Sequence, residues 1–271
     1  MDQLEQNKNV PSTEALYQGF DPVAYLQYNY TPPRADFERR SIVPWKLSCL
    51  HKAFVDDDIR GDILVDVGSG PTLYQTMSGC ERFDRVILSD FLEVNRKELQ
   101  CWLQEGKSSI DWAPYFKYVC ELEGRSPSEW EEKATRLRSV VSDVVPIDVH
   151  QSSPISPDLL ASSGADCLVS SFCLESVSND FPAFTRAMQN ISRLLKKGGY
   201  LLLIGALGES FYMGAAGLYI PVVPLEESQV CSSLKECGYE LLQLCIYHLP
   251  PDMKVGVDDV TGVFFVKAKK A

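Results

Sequence analysis

Hydrophobic positions arrive in short, nearly unbroken runs at residues 63–67, 86–90, 144–149, 167–172 and 200–206. Runs of this length predict strands buried on both faces of a parallel sheet. Between the fourth and fifth runs, Phe184, Ala187, Met188, Ile191, Leu194 and Leu195 recur at helical spacing. Lys196, Lys197, Gly198 and Gly199 then supply basic residues and a glycine stop, which predicts a strand–helix–strand unit. A further helix ends near Gly238, and residues 239–249 and 263–269 read as two strands joined without a helix, so they are expected to pair antiparallel. Residues 121–142 are expected to form a solvated helix with its charges outward. Upstream, residues 17–54 contain two helical pieces separated by Pro32 and Pro33, with Pro22 in a first turn. Residues 1–15 lack both periodicity and apolar content and are expected to be a flexible tail. The pattern predicts a doubly wound α/β sheet over residues 55–271 with an antiparallel C-terminal pair, preceded by a helical lid over 16–54, all in one domain.

Composition narrows the partners. With 271 residues, 45% of them hydrophobic, the chain can bury a large core. A formal net charge of −11 disfavours a nucleic-acid partner, which needs clustered Lys and Arg. No apolar run approaches the ~18 residues of a membrane span, and the N-terminus has no leader-like apolar region. Nine cysteines with no C-x-x-C pair, and three histidines, signal neither a disulfide framework nor a metal site. A cytoplasmic monomer with reduced thiols is the expectation.

The first run continues into "LVDVGSGPTLYQ". A glycine turn between strand and helix can serve packing alone. Its place after the first strand of a doubly wound sheet is, however, where such folds bind ligands. A dinucleotide fingerprint would need a third glycine, and Pro71 removes one of the N–H groups that cradle a pyrophosphate. A nucleoside without phosphates fits better. Asp90 ends the second run, where an acid hydrogen-bonds ribose, and Asp148 is expected to end the third strand, where a carboxylate can accept the adenine amino group. Each aspartate alone is as often a helix cap. Together, beside the turn, they favour S-adenosylmethionine.

"DVGSGPTLYQ", "SDFLEVNRKEL", "PIDVHQ", "FCLESVSNDFPAF" and "LLLIGALGESFYM" resemble the small-molecule methyltransferases that act on nicotinamide, indoleamines and phenylethanolamines. The resemblance covers residues 17–269, and "FDPVAYLQYNYTPPR" and "GVDDVTGVFF" bring it nearest to the phenylethanolamine branch. It implies a Rossmann-like class I methyltransferase fold. It also implies an S-adenosylmethionine site of Tyr17, Tyr25, Tyr30, Gly68, Ser69, Gly70, Thr72, Tyr74, Asp90, Phe91, Asn95, Asp148, Val149 and Ser171. For the amine it implies Asn29, Arg34, Lys46, Phe172, Glu175, Glu209, Tyr212 and Asp258, with Val260 and Val263 closing an aromatic slot. Ser171 stands where this branch has alanine and Leu249 where it has methionine, and the segment 35–43 is more charged than its counterpart. The implied reaction is methyl transfer to the primary amine of a phenylethanolamine such as noradrenaline.

An alkylamine is mostly an ammonium ion at neutral pH, so the site must bind a cation and then remove a proton. Carboxylates do both. Glu175, Glu209 and Asp258 each adjoin an apolar run, which places them at strand ends on one edge. Any one of them alone would be expected on the surface. Glu209 and Asp258 are expected to anchor the amine and Glu175 to accept its proton through water. Two alternatives stand beside this expectation: an N-methyltransferase for nicotinamide or indoleamines, and a regulatory protein that binds S-adenosylmethionine without turnover. A pyridine nitrogen needs no deprotonation, so the extra acids favour an aliphatic amine.

Overall fold

A computed structural model describes residues 13–105, 107–160 and 162–271. Seven strands form the main sheet: β1 (Gly61–Val67), β2 (Phe83–Ser89), β3 (Val141–Val145), β4 (Ala165–Ser171), β5 (Leu195–Leu207), β8 (Tyr239–His248) and β9 (Gly262–Lys270). Their order is β3-β2-β1-β4-β5-β9-β8. The first five are parallel, and β9 pairs antiparallel with both β5 and β8. The chain winds outward from β1 in one direction and, from β4, in the other. The carboxyl ends of β1 and β4 therefore splay apart at the switch point, where open α/β sheets form their binding crevice.

Both faces of the sheet are covered. On one, α3 (Ile42–His51), α5 (Ala113–Leu122) and α6 (Trp130–Val140) pack Leu47, Leu50, Phe116 and Leu137 over Leu64, Val86 and Leu202. On the other, α8 (Phe181–Ser192) and α9 (Glu227–Glu236) bring Phe184, Met188, Val230 and Leu234 over Val65, Leu168 and Leu203. Successive strand residues alternate between these two layers, which is why buried parallel strands read as unbroken apolar runs. The remaining helices are α1 (Thr13–Tyr17), α2 (Pro22–Asn29), α4 (Glu93–Glu105) and α7 (Leu174–Val177). No helix among the described residues is long and apolar enough to cross a membrane.

Of the segment 16–54 expected as a lid, α3 is built into the core against the sheet, with only Ile42 and Lys46 reaching the cavity, so the covering part is the stretch around α1 and α2. Asp21 caps α2 through its side chain, which accepts the Val23 and Ala24 N–H groups, and Pro22 occupies the first turn. A small hairpin of β6 (Phe211–Ala215) and β7 (Leu218–Pro221) lies under the lid, joined to it by the Asp21 N–H on the Gly214 carbonyl.

Four further expectations need correction. The tail is shorter than 1–15, since Thr13–Tyr17 is helical; the rest of that segment lies outside the described residues. The third strand runs Val141–Val145, not 144–149, because Pro146 cannot donate to the ladder. Residues 121–142 are not one helix: α5 ends at Leu122, Gly124 takes φ +70°, and α6 starts at Trp130. Nor do all its charges face out, because Lys133 is fully buried with its Nζ 2.6 Å from Glu123. Finally, Lys196–Gly199 does not stop a helix but opens β5, with Gly199 packed so tightly against the Asp166 carbonyl that a Cβ would stand 2.9 Å from it.

Candidate active site

A cavity of about 690 Å³ opens at the switch point, between the glycine turn, the ends of β2 and β4, the lid and the β6–β7 hairpin. That volume lies within the ~300–1,000 Å³ usual for small-molecule sites.

At one end the turn after β1 is held open by its own hydrogen bonds. The Ser69 carbonyl accepts from Thr72 Oγ1 and Gln75 Nε2, and Ser69 N–H donates to Ser89 O. Gly68 and Gly70 take φ +68° and +58°. The two glycines are needed for different reasons. A Cβ on Gly68 would meet Cys173 Sγ at 2.2 Å, whereas none of the structure lies within 4 Å of one on Gly70, which faces the open cavity.

Asp90 follows β2 and is buried under this turn. One carboxylate oxygen accepts the Gly70 N–H at 2.8 Å; the other accepts the Leu92 N–H at 2.9 Å and Asn95 Nδ2 at 3.0 Å. Burial pushes its carboxyl upward, opposed by these hydrogen bonds. The Asn95 carbonyl oxygen is buried without a partner, and both side chains line the cavity. An orphaned acceptor beside a fixed carboxylate suits the hydroxyls and ammonium of a nucleoside amino acid. Asp148 does not end a strand; it lies three residues beyond β3, its carboxylate accepting the His150 N–H at 2.9 Å and Gln151 Nε2 at 3.2 Å. Phe91, 49% exposed, lines the mouth together with Val149.

Rings from the lid make the roof. Tyr25 lies 5.3 Å from Phe20, 5.9 Å from Tyr30 and 6.0 Å from Tyr212, and Tyr30 lies 5.5 Å from Tyr74. Tyr212 donates from its hydroxyl to Tyr17 Oη at 2.9 Å, and Tyr17 donates to the Ser176 carbonyl at 3.0 Å, tying lid, hairpin and α7 together.

The other end holds the charged groups. Arg34 grips Asp258 with two bonds of 2.6 and 2.9 Å and also donates to Asn29 Oδ1 at 2.8 Å. Glu209, one residue beyond the Gly208 bend after β5, is 7% exposed. Burial first, then the nearby Asp258 and Glu175, push its carboxyl well above the usual range, with Arg34 pulling it back. Lys46 sits in a box of rings, its Nζ 4.3 Å from the centre of Tyr74, 4.7 Å from Tyr30 and 4.9 Å from Phe172. Burial, with Arg34 adding repulsion, holds its ammonium well below the usual lysine range. Phe172 itself has φ +53°, strained for a residue with a Cβ, and its N–H donates to Ile204 O at 2.9 Å.

The cavity thus gathers Tyr17, Tyr25, Tyr30, Gly68, Ser69, Gly70, Thr72, Asp90, Phe91, Asn95, Asp148, Val149 and Ser171 at one end, and Asn29, Arg34, Lys46, Phe172, Glu209, Tyr212, Asp258, Val260 and Val263 at the other. Three expected residues are not in its wall. Tyr74 is fully buried behind it, its hydroxyl paired with Ser171 Oγ. Leu249 packs into the core. Glu175, at the start of α7, is fully buried: its Oε1 accepts the Ala206 N–H at 2.8 Å, its Oε2 has no partner, and burial pushes its carboxyl up to about 7. Sequence reasoning missed Cys173, His150 and Arg186 of the wall, none of which lies in a pattern that distinguishes it from core or surface. Among the described residues no group of acids, histidines and cysteines could hold a metal ion.

The NNMT/PNMT/TEMT family model matches residues 8–271. Phenylethanolamine N-methyltransferase of Sus scrofa is 48% identical over 255 residues, covering 94% of this chain and 89% of its own length. Nicotinamide N-methyltransferase of Homo sapiens is 36% identical over 230 residues, covering 85% and 86%. Among solved structures, the N-methyltransferase NodS from Bradyrhizobium japonicum, in complex with S-adenosyl-L-homocysteine, aligns over 92% of this chain and 99% of its own with a TM-score of 0.50 at 12% identity. The cyclase SpnF gives 0.57 at 15% identity over 96% and 97%. These overlays establish the class I methyltransferase fold, and a cyclase among them illustrates that the fold alone does not name the reaction. The sequence does so: over nearly its whole length this chain belongs to the NNMT/PNMT/TEMT family of S-adenosylmethionine-dependent N-methyltransferases.

Proposed function

We propose that the protein methylates the primary amine of a phenylethanolamine, noradrenaline being one such substrate, with Glu209 as the acid that receives the ammonium and takes its proton. The observation that carries this reading is a buried carboxylate in the cavity wall whose neighbouring acid is already neutralised by Arg34. The sequence leans the same way, with 43–48% identity to phenylethanolamine N-methyltransferases against 35–36% to those for indolethylamine and nicotinamide.

S-adenosylmethionine supplies an electrophilic methyl group on a sulfonium. In this reading Asp90 and Asn95 hold its ribose and amino-acid parts, Gly68 and Gly70 let it lie against the backbone, Asp148 meets the adenine amino group, and Phe91 and Val149 flank the ring. The amine side must bind a cation, free its lone pair and exclude water. An alkylammonium loses its proton near the lysine value of ~10.4, so a carboxyl pushed upward is a better-matched acceptor than an ordinary glutamate. Phe172, Val260 and Val263 offer the aromatic ring an apolar slot, and the tyrosine roof keeps water out. Holding amine and methyl in line supplies roughly 7–11 kcal/mol of the barrier reduction in well-oriented reactions.

Glu175, expected from the sequence to accept the proton, is given a supporting role here: its occupied Oε1 and its place behind the wall favour Glu209 instead. Glu209→Gln is expected to lower kcat about 10²–10⁴-fold, while Glu175→Gln stays within roughly tenfold of wild type. Near-normal turnover by Glu209→Gln, with the deep loss in Glu175→Gln, would return the proton to Glu175.

A further inference from the structure

The amine end contains two acids in the wall, yet they are not equivalent. The Arg34 and Asp258 side chains are 4% and 6% exposed, and both carboxylate oxygens of Asp258 are taken by the guanidinium. The guanidinium is itself fixed by Asn29 Oδ1 at 2.8 Å and the Met253 carbonyl at 3.3 Å. Among the described residues Glu209 has no such partner. The charged and titratable groups around it are Asp258, Glu175, Asp259 and Arg34, with the hydroxyls of Tyr25 and Tyr212. Asp259 is engaged by the Ser210 and Phe211 N–H groups and by Ser210 Oγ. Lys46 stands beside Arg34, and among the described residues no carboxylate is against it.

Building on the function proposed above, we propose that Arg34 is the specificity-determining positioning residue of the amine end: by closing Asp258 in a two-bond pair, it leaves Glu209 as the single carboxylate an ammonium can neutralise. The amine end then matches one positive charge. Arg34 belongs to the connection after α2, whereas Asp258 lies in the loop before β9, bridged to Tyr212 of the hairpin. The pair therefore sets the charge only when lid and sheet edge are together. Without it, two buried acids would share the site, each disfavouring ionisation of the other.

The test compares wild type with Arg34→Gln, Arg34→Lys and Asp258→Asn. Removing Arg34 takes away a cation that lowers the Glu209 carboxyl, so the acid limb of log(kcat/KM) for phenylethanolamine should move to higher pH, by about one unit. Asp258→Asn removes a negative neighbour and leaves Arg34 unopposed, so its limb should move to lower pH. Arg34→Lys should stay near wild type in limb position, although a lysine cannot reproduce the two-bond fork. Opposite shifts from two substitutions in one ion pair are an electrostatic signature that misfolding does not produce. The carboxyl ¹³C shift of Glu209 in protein saturated with S-adenosylhomocysteine should titrate with the same displacements, and it needs no turnover. Absence of methyl transfer by wild type would count against the function while the NMR titration still decided on Arg34. Unmoved or parallel titrations in Arg34→Gln and Asp258→Asn would overturn the role given to Arg34.

Discussion

At the cofactor end of the cavity, the turn from Gly68 to Thr72 is tied to the end of the neighbouring strand by the Gly70 N–H on the Asp90 carboxylate and the Ser69 N–H on the Ser89 carbonyl. The amine end instead takes single side chains from segments as far apart as Asn29, Phe172, Glu209 and Asp258. The turn and the Asp90 carboxylate are fixed to one another before any ligand arrives, with the Asn95 side-chain oxygen left open as an acceptor. The second depends on the lid for its charge: Arg34 reaches Asp258 only across the opening. A site assembled this way can keep one cofactor geometry while its substrate end diverges, since the two ends share few residues. That division agrees with a family whose named members act on chemically different nitrogen compounds.

The sharpest way to break this contrast is Asp90→Ala. It strips the Gly70 and Leu92 N–H groups and Asn95 of their acceptor at once, and charge-assisted bonds contribute about 1.5–3 kcal/mol each. Affinity for S-adenosylmethionine, read by calorimetry, should fall roughly 10²-fold or more. KM for the amine at saturating cofactor should not change. An equal loss at both ends would mean that they are not separable.

A second comparison concerns the acid behind the wall. Glu175 has a folded-state pKa raised to about 7 by burial, above its ordinary value. A raised carboxyl favours the protonated folded form, so its stabilising contribution is present below the unfolded pKa and is lost as pH rises through about 7. Glu175→Gln keeps an acceptor for the Ala206 N–H but cannot ionise. Thermal unfolding of the two proteins should coincide near pH 4.5 and diverge by pH 8, with the variant more stable by roughly 3 kcal/mol. A gap independent of pH would place the effect in packing.

The smallest expected effect separates the two glycines of the turn. Gly68→Ala collides with Cys173 and should destabilise the protein by about 1–3 kcal/mol. Gly70→Ala pays only for its positive φ, about 1 kcal/mol, and its added methyl projects where the cofactor is expected to lie. Chemical denaturation should rank Gly68→Ala as the less stable, and cofactor titration should reveal Gly70→Ala as a binding defect in a folded protein.

The same contrast explains what the sequence made legible. The strands of the parallel sheet, the glycine turn and Asp90 all follow from local pattern, because backbone conformation and burial on two faces leave their mark on neighbouring residues. The error at 144–149 arose where apolar character continues past Pro146, which ends the ladder without ending burial of Ile147 and Val149. The burial of Lys133 leaves no local trace, because nothing near it in sequence announces that Glu123 and Glu81 converge on its ammonium. The β6–β7 hairpin went unseen, being two short strands around the positive-φ turn at Gly217. Topology placed Glu175, Glu209 and Asp258 at the right edge of the sheet but not the direction of each side chain. Gly205, which leaves room for the Glu175 carboxylate, and Arg34, which claims Asp258, settle those directions through contacts distant in sequence.

The most direct test is a methyl-transfer assay with S-adenosylmethionine in which phenylethanolamine, noradrenaline, tryptamine and nicotinamide compete side by side. An amine end with Glu209 as its one acid not held by Arg34 predicts the highest kcat/KM for the phenylethanolamines, with nicotinamide, which has no ammonium to bind or deprotonate, the poorest of the four. Nicotinamide as the best substrate would contradict the account.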